Sequence, residues 1–531
     1  MSSRILIIVA LAILGAGFFI YAPLVSRWFE VDDRRRTPAE RFRDGLDFMP
    51  TSTPILFGHH FASIAGAGPI VGPILAASYG WLGVFLWLVL GAVFAGGVHD
   101  MGSIMASLRH DGRSIGEILR QYLGPQAQKL FLLFATATLI LVVAAFDVIV
   151  AKTFVASPPV ATASILFLVL ALVFGILYYR VGLPLPLITV FGLFGLVASI
   201  FLGFSFPLRL PEIYWRLLLF VYVFLASVLP IWLLLQPRDY LNAFLLYALL
   251  FGAFLGLLIG APEVRLPAFT GFTNEIGPFF PLLFVITSCG AISGFHSLVG
   301  SGTTARQVAR ESQARYVGYG AMLLEGLLGV ISLCAVVGLS LADYKGLLKT
   351  QGPITTFATG VAGFFASLGI PVEKGKAFAA LAVSAFALTS LDTATRVSRF
   401  MLEELFAREG KHVSTSRSRV VFTLVVVGLS AALAFSGAWQ KIWPLMGSAN
   451  QLLAALALLS LTVWLMATGR PFAFVSLPAI FMLAVTLTAL AILFRKNLGS
   501  GHLLLSVLAL GLLALTVFLL VVSVRKFLER R

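Results

Sequence analysis

The chain has 531 residues, of which 59 % are hydrophobic and only 11 % charged, with a mean hydropathy of +0.98. That balance excludes a soluble globular domain and describes a polytopic membrane protein. The formal charge of +15 does not indicate nucleic acid, because the Lys and Arg residues sit in short loops between apolar runs, where they set orientation in the bilayer.

The first apolar run, Ile5 to Val25, is too long for the h-region of a signal peptide and lacks a small-residue cleavage site, so it predicts a retained helix. A polar segment from Ser26 to about Pro50 carries Arg27, Arg34, Arg35, Arg36, Arg41 and Arg43 and reads as a surface loop. Spans of bilayer length follow at about 54–79, 82–107, 128–151, 161–179, 186–205, 217–236, 240–261, 278–302, 317–342, 377–395, 420–437, 443–468, 472–494 and 503–524. With the N-terminus outside, the inner loops and C-terminal tail hold 26 of the 38 Lys and Arg residues, and the outer segments hold 12. The densest groups, at 27–43, 306–315, 396–419 and 525–531, all fall inside, which predicts a cytoplasmic C-terminus. The semi-apolar segment 353–369 predicts a re-entrant or interfacial helix. Cys289 and Cys334 lack CxxC spacing and read as packing residues.

One stretch departs from simple anchoring. Gly58-His59-His60-Phe61-Ala62-Ser63-Ile64-Ala65-Gly66-Ala67-Gly68-Pro69-Ile70-Val71-Gly72-Pro73 places two imidazoles, a hydroxyl and several helix-weakening residues inside a span. Gly66, Gly68 and Pro69 interrupt the helix, and the freed backbone groups need partners that lipid cannot supply. Transporters that alternate access use discontinuous spans to hold substrates and ions. A half-helix starting at Pro69 aims free N–H groups and a positive dipole end at the gap, which suits a carboxylate; Gly68-xxx-Gly72 also reads as a helix-packing motif. Ser63-Ile64-Ala65-Gly66-Ala67-Gly68 is echoed by Ser297-Leu298-Val299-Gly300-Ser301-Gly302. The two lie seven spans apart and so run in opposite directions, the relation of inverted repeats.

The run from Gly58 to Trp81 and the segments Val98-His99-Asp100, Leu229-Pro230 through Gln236-Pro237-Arg238-Asp239-Tyr240-Leu241-Asn242, Ser293-Gly294-Phe295-His296-Ser297, Leu391-Asp392-Thr393-Ala394-Thr395-Arg396 and Gly447-Ser448-Ala449-Asn450-Gln451-Leu452 carry a resemblance. Together they resemble the carbon starvation protein A family of bacterial inner-membrane transporters, over nearly the whole chain. The resemblance implies uptake of pyruvate or small peptides with protons as the coupling ion. It also implies a distant relation to the amino acid-polyamine-organocation superfamily, with its five-plus-five inverted-repeat core. The expected fold is an all-α polytopic membrane protein of about fifteen transmembrane helices with a LeuT-like core containing discontinuous helices. It forms one integral membrane domain over 1–531: an extra helix at 5–25, the core at about 54–400 and C-terminal helices at about 420–524.

Candidate chemistry gathers at the interruptions. His59 and His60 are candidate proton or substrate groups, imidazole being the side chain that titrates nearest physiological pH. Adjacent helical residues point about 100° apart, so the two do not face one cavity. With Ser63, Gly66, Gly68, Pro69 and Gly72 they form the first half of the predicted substrate site. Ser293 and His296 supply the second half, joined by Asn450 and Gln451 as substrate-facing amides or as polar links between helices. Ser301, Thr303 and Thr304 offer hydroxyls to a sodium ion or bond their own helix carbonyls. Asp147, Glu325 and Asp392 are acids within apolar segments and candidates to carry a coupling proton; Asp392 alternatively pairs with Arg396, four residues on. His99-Asp100 and Arg238-Asp239, near the cytoplasmic boundary in this topology, are candidate gate pairs.

These features predict a secondary transporter without a cofactor, importing a small carboxylate such as pyruvate by proton symport, since no acid accompanies the first motif to hold a substrate ammonium. Proton- or sodium-coupled uptake of peptides or amino acids is the alternative. The histidines also raise an intramembrane metal or haem protein, but His110, His412 and His502 fall in loops or at an end and HExxH is absent, so no metal site is expected. A channel would need a ring-forming filter. The expected partners are the substrate and the lipid bilayer of the inner membrane, not nucleic acid.

Overall fold

The structure is a computed structural model that describes residues 1–407 and 415–528, so His412 lies outside the described residues. Among those residues the chain is helical, with only isolated bridge pairs of strand type. In chain order, α1 is Ser3–Trp28, α2 Thr53–Ile64, α3 Gly68–Tyr79 and α4 Trp81–Arg109. The short α5, Ile115–Leu123, precedes α6, Pro125–Ala156, α7, Pro158–Val181, and α8, Leu185–Ser205. Next come α9, Glu212–Val228, and α10, Leu235–Gly260. Three short pieces follow: α11, Phe279–Ile286, α12, Ser288–Ala291, and α13, Gly294–Gly302. The chain then forms α14, Arg315–Val337, α15, Leu341–Ala366, and α16, Val372–Phe406. It ends with α17, Ser416–Phe435, α18, Met446–Ala467, α19, Ala473–Gly499, and α20, Leu503–Leu528.

Twelve of these helices are long and apolar enough to cross a membrane, or thirteen with the bent pair α2–α3 counted as one span. Two of the fifteen expected spans fall short of that length. The run at 217–236 becomes α9, with 17 residues, and the run at 278–302 is divided into α11, α12 and α13. The segment 353–369 begins in α15, a 26-residue helix broken at Gly352, where φ is +71°, and runs past its end at Ala366.

Helix packing shows two interlocked sets of five. The half-helix α2 lies along α10 as α13 lies along α18, and α3 packs on α14 as α13 packs on the C-terminal part of α4. The long α6 presses against α16, and each of that pair also packs against both α9 and α17. The first repeat is therefore α2–α3, α4, α6, α9 and α10, and the second is α11–α13, α14, α16, α17 and α18. The α7–α8 hairpin is inserted between the third and fourth members of the first repeat, while α5 and α15 follow the second member of each. Inserting two helices preserves parity, so the broken members remain antiparallel. The sequence echo is not the register of this repeat. Ser63 precedes the first break, at 65–67, whereas Ser297 lies beyond the second, at 292–293.

Bare backbone sets how the broken spans cross. A Cβ on Gly68 would collide with Cys289 Sγ, and one on Gly294 with Asn450 O, so α3 lies directly on α12 and α13 starts against α18. Small residues allow that approach where lipid offers no hydrophobic drive for helix association.

The loop after α1 folds over one end of the molecule. Met49 N–H donates to Arg306 O at 3.1 Å and Thr51 N–H to Gln307 O at 3.0 Å. Ser312 donates to Asp33, and Arg396 and Arg399 bind Asp47. Three of the dense basic groups, 27–43, 306–315 and the start of 396–419, therefore meet at one end, whereas 408–414 and 529–531 lie outside the described residues.

Candidate functional site

The first break is lined by carbonyls that find side-chain and turn partners. After α2 the chain turns at Ala65, with φ −74° and ψ 61°, and the axis bends by 45° into α3. Phe61 O and Ile64 O accept the N–H groups of Ala65 and Gly66 at 2.9 and 2.8 Å. Ser63 O accepts the Ser390 hydroxyl at 3.3 Å, while Ser63 Oγ donates to His59 O at 2.7 Å and lies 3.2 Å from Thr393 Oγ1. Helix α3 starts at Gly68, one residue before the expected Pro69. Gly66 faces Ser390, whereas Gly68 and Gly72 face Cys289 and the Ile286 carbonyl. Those last two glycines therefore join the two broken spans, as the packing reading of their spacing has it.

The second break is held by α18. Ile292 and Ser293 are extended, with φ/ψ of −163°/135° and −137°/130°. Asn450 Oδ1 accepts the Phe295 N–H at 2.9 Å, and Asn450 Nδ2 donates to Ser293 Oγ at 3.1 Å. Gln451 Nε2 donates to Ile292 O at 3.3 Å. Both amides thus serve as polar links that satisfy an interrupted helix, which a bilayer interior demands.

The neighbouring imidazoles of α2 diverge, as the 3.6-residue turn requires. His59 Nδ1 lies 2.6 Å from Asp239 Oδ2 on α10. Arg238 Nε donates to Asp239 Oδ1 at 2.9 Å, and its Nη2 reaches Asp392 Oδ1 on α16 at 3.1 Å. The Tyr222 hydroxyl of α9 bonds both Arg238 and Asp392. His60 Nδ1 instead lies 2.8 Å from Thr304 Oγ1.

A second polar chain runs behind the other break. Asp100 Oδ1 lies 2.7 Å from His99 Nδ1, and Asp100 Oδ2 lies 2.9 Å from His296 Nδ1. His296 Nε2 is 3.2 Å from Glu325 Oε2, within ion-pair range, but both Glu325 oxygens lack a hydrogen bond. The four histidines, Asp100, Asp239, Asp392 and Glu325 are all fully buried, so the centre is sealed from solvent. The Nε2 atoms of His59, His60 and His99 have no partner.

Other predicted residues fall elsewhere. Asp147 accepts Arg216 Nε at 3.1 Å, and Arg216 stacks over Phe435, so Asp147 belongs to neither chain. Ser301 and Thr303 donate to the carbonyls of Ser297 and Val299, at 2.6 and 3.1 Å, within their own helix. Asp392 pairs with Arg238 rather than Arg396, because Arg396 is drawn to Asp47 at 2.7 Å and to the Ala226 carbonyl at 2.8 Å. The pairs His99-Asp100 and Arg238-Asp239 are buried within the helix bundle. Tyr222, Ser390 and Asp47 were not among the predicted residues. Each acts on a partner far along the chain, and no local spacing signals it. Among the described residues, no three of His, Cys, Asp and Glu are placed to hold a metal ion.

The carbon starvation protein CstA family matches the chain over residues 2–350 and 344–489. The chain belongs to the CstA family. The peptide transporter CstA of Helicobacter pylori is 34 % identical over 555 residues, covering 91 % of this chain and 80 % of that protein. The peptide transporter CstA of Escherichia coli is 34 % identical over 537 residues, covering 86 % of this chain and 76 % of that one. The pyruvate/proton symporter BtsT of Escherichia coli is 32 % identical over 574 residues, covering 89 % and 79 %. Among solved structures, a manganese transporter of Eremococcus coleocola, in complex with an aromatic bis-isothiourea substituted compound, aligns with a TM-score of 0.53 at 11 % identity, over 92 % of this chain and 99 % of that one. That likeness gives the fold, a LeuT-like transporter architecture. This CstA-family chain is accordingly a multi-pass membrane transporter and not an enzyme.

Proposed function

We propose that this CstA-family protein is a secondary active transporter of the inner membrane that imports pyruvate or a related short carboxylate in symport with protons, without a cofactor. The buried chain Asp100–His296–Glu325 carries the reading. Two acids there flank one imidazole, and the Glu325 carboxylate has no hydrogen-bond partner. Glu325 faces His296 at 3.2 Å, and one imidazolium cannot balance two buried carboxylates, so a proton on Glu325 removes the surplus negative charge that the occluded centre otherwise bears. Such a group in a membrane interior is retained for a role. The name of the BtsT relative supports proton coupling. The start of α3, free of acids, supports an anionic substrate.

In this reading α2–α4 and α11–α14 rock as one bundle against α6, α9, α10 and α16–α18. His59–Asp239 and Ser63–Thr393 cross the seam between them. The basic end faces the cytoplasm, which puts the N-terminus outside and the C-terminus inside. Peptide uptake is the second reading, favoured by the names of the CstA relatives. Uptake of labelled pyruvate and of a labelled dipeptide into proteoliposomes decides between them, with an acid-outside gradient, with sodium alone, and with the gradient collapsed. Saturable pyruvate accumulation that needs the pH gradient is expected. Accumulation of the dipeptide alone, or with sodium alone, overturns the reading.

A further inference from the structure

A second site lies away from the breaks, on the flank of α2. An apolar groove of about 590 Å³ runs between α1, α2, α10 and α14, walled by residues that include Leu11, Gly15, Phe18, Phe57, Phe244 and Leu324. A polar cavity of about 640 Å³ adjoins it, and the two share Thr53 and Tyr316. Along α14 the groove reaches from Tyr316 to Leu327, about 16 Å of helix at 1.5 Å per residue. That is the hydrocarbon depth of one leaflet, about half of a 30 Å core.

The charges sit at one end of this paired cavity. Arg310 lines the polar part. Arg315 stands at the junction, its guanidinium over the rings of Phe18 and Tyr316 and its Nη2 donating to the Tyr316 hydroxyl at 2.7 Å. Its Nε is buried without a partner. Three other arginines at this end are matched with acids, Arg109 with Glu311 and Arg396 and Arg399 with Asp47. Among the described residues, neither Arg310 nor Arg315 lies in an ion pair with a carboxylate. The carboxylate nearest along the hydrogen bonds, Asp33, is engaged by the Ser312 N–H and hydroxyl at 2.8 and 2.7 Å.

We propose that the groove and its polar mouth form a binding site for one anionic phospholipid of the surrounding bilayer, with an acyl chain along α14 and the phosphate against Arg310 and Arg315. An apolar slot one leaflet deep, ending at interfacial tyrosine and two unpaired guanidiniums, matches the two chemistries of that molecule. The site bears on transport because α2 forms one of its walls, and Phe57 lies two residues before His59. An acyl chain between α1 and α2 buttresses the half-helix that carries both histidines.

The test compares the full-length protein with Gly15→Phe and with the double variant Arg310→Ala, Arg315→Ala. A Cβ on Gly15 meets nothing within 4 Å, so the new ring enters the groove without displacing the helix. Each protein is reconstituted in phosphatidylcholine nanodiscs with and without phosphatidylglycerol, then examined by native mass spectrometry and thermal melting. The wild-type chain should retain one phosphatidylglycerol, favoured over phosphatidylcholine about fivefold per arginine. The arginine variant should lose that preference and Gly15→Phe should lose the bound lipid, with melting temperatures in phosphatidylcholine alone unchanged. Arg310→Ala by itself, an exposed position, keeps the test sound if the double variant fails to fold. Equal retention of both lipids by the wild type, or undiminished phosphatidylglycerol on the variants, overturns the proposal. So does inorganic phosphate that raises the wild-type melting temperature as phosphatidylglycerol does, since the arginines would then serve a soluble anion.

Discussion

Removing the carboxylate of Asp47 leaves the fully buried Arg396 without its acid and the fully buried Arg399 with only Glu403, 4.0 Å away. Breaking a buried ion pair from one side costs about 3–5 kcal/mol, so Asp47→Asn should lower the melting temperature of the detergent-solubilised protein by several degrees. Burial by itself raises the Asp47 carboxyl, but the charges of Arg399, Arg396 and Arg306 outweigh it and hold the group below its ordinary 3.8. A depressed carboxyl contributes stability that is present above the unfolded value and is lost as pH falls through the folded one. The gap between wild type and Asp47→Asn should therefore be full near pH 7 and close below about pH 4; a gap independent of pH would assign the loss to shape rather than charge. Glu325 makes a different prediction, because its proposed role is to change charge. Glu325→Gln should leave a folded protein that exchanges substrate at equilibrium yet no longer accumulates it on an acid-outside gradient. Gradient-driven accumulation at the wild-type rate would remove Glu325 from the coupling path.

At the scale of the helix, the two breaks differ in how they are made, and that decides which one the sequence announces. The first is local. Gly66, Gly68 and Pro69 weaken the helix where they stand, so the interruption between α2 and α3 is legible within one residue. The second is imposed by Asn450 and Gln451, more than 150 positions away, on a run that hydropathy presents as continuous. The same distinction governs the side chains. That His59 and His60 face different neighbours follows from helix geometry, but that they meet Asp239 and Thr304 does not. The pairing of Asp392 with Arg396 is correct by spacing on an isolated helix, and yields to Arg238 once α10 packs alongside. Close packing of the breaks gives a direct test. Gly68→Ala should cost about 1–3 kcal/mol, the usual penalty of overpacking, because its Cβ meets the Sγ and Cβ of Cys289. Adding Cys289→Gly should recover most of that loss in a double-mutant cycle read by thermal melting. Additive losses would show that the two glycine-lined helices do not touch.

Across the whole molecule, the five-plus-five arrangement divides the buried polar groups between two sets of helices. Asp100, His296 and Glu325 all sit on α4, α13 and α14, inside the proposed moving bundle. Arg238, Asp239, Asp392 and Tyr222 sit on α9, α10 and α16, in the helices against which it moves. Protonation of the first group thus changes the charge within the bundle, while the ionic lattice of the second keeps its place, and the contacts that cross the seam part as it opens. Ser63 and Thr393 are one of these, their hydroxyls 3.2 Å apart across the seam. Cysteines at the two positions would bring their sulfurs face to face across the seam, where an oxidant can trap them. In a background carrying Cys289→Ala and Cys334→Ala, the pair Ser63→Cys and Thr393→Cys should cross-link under mild oxidant, abolish gradient-driven uptake, and regain it on reduction. Each single cysteine should transport under both conditions. Complete cross-linking with undiminished uptake would mean that α2 and α16 travel together, and the moving seam would have to be sought between α16 and the helices beyond it.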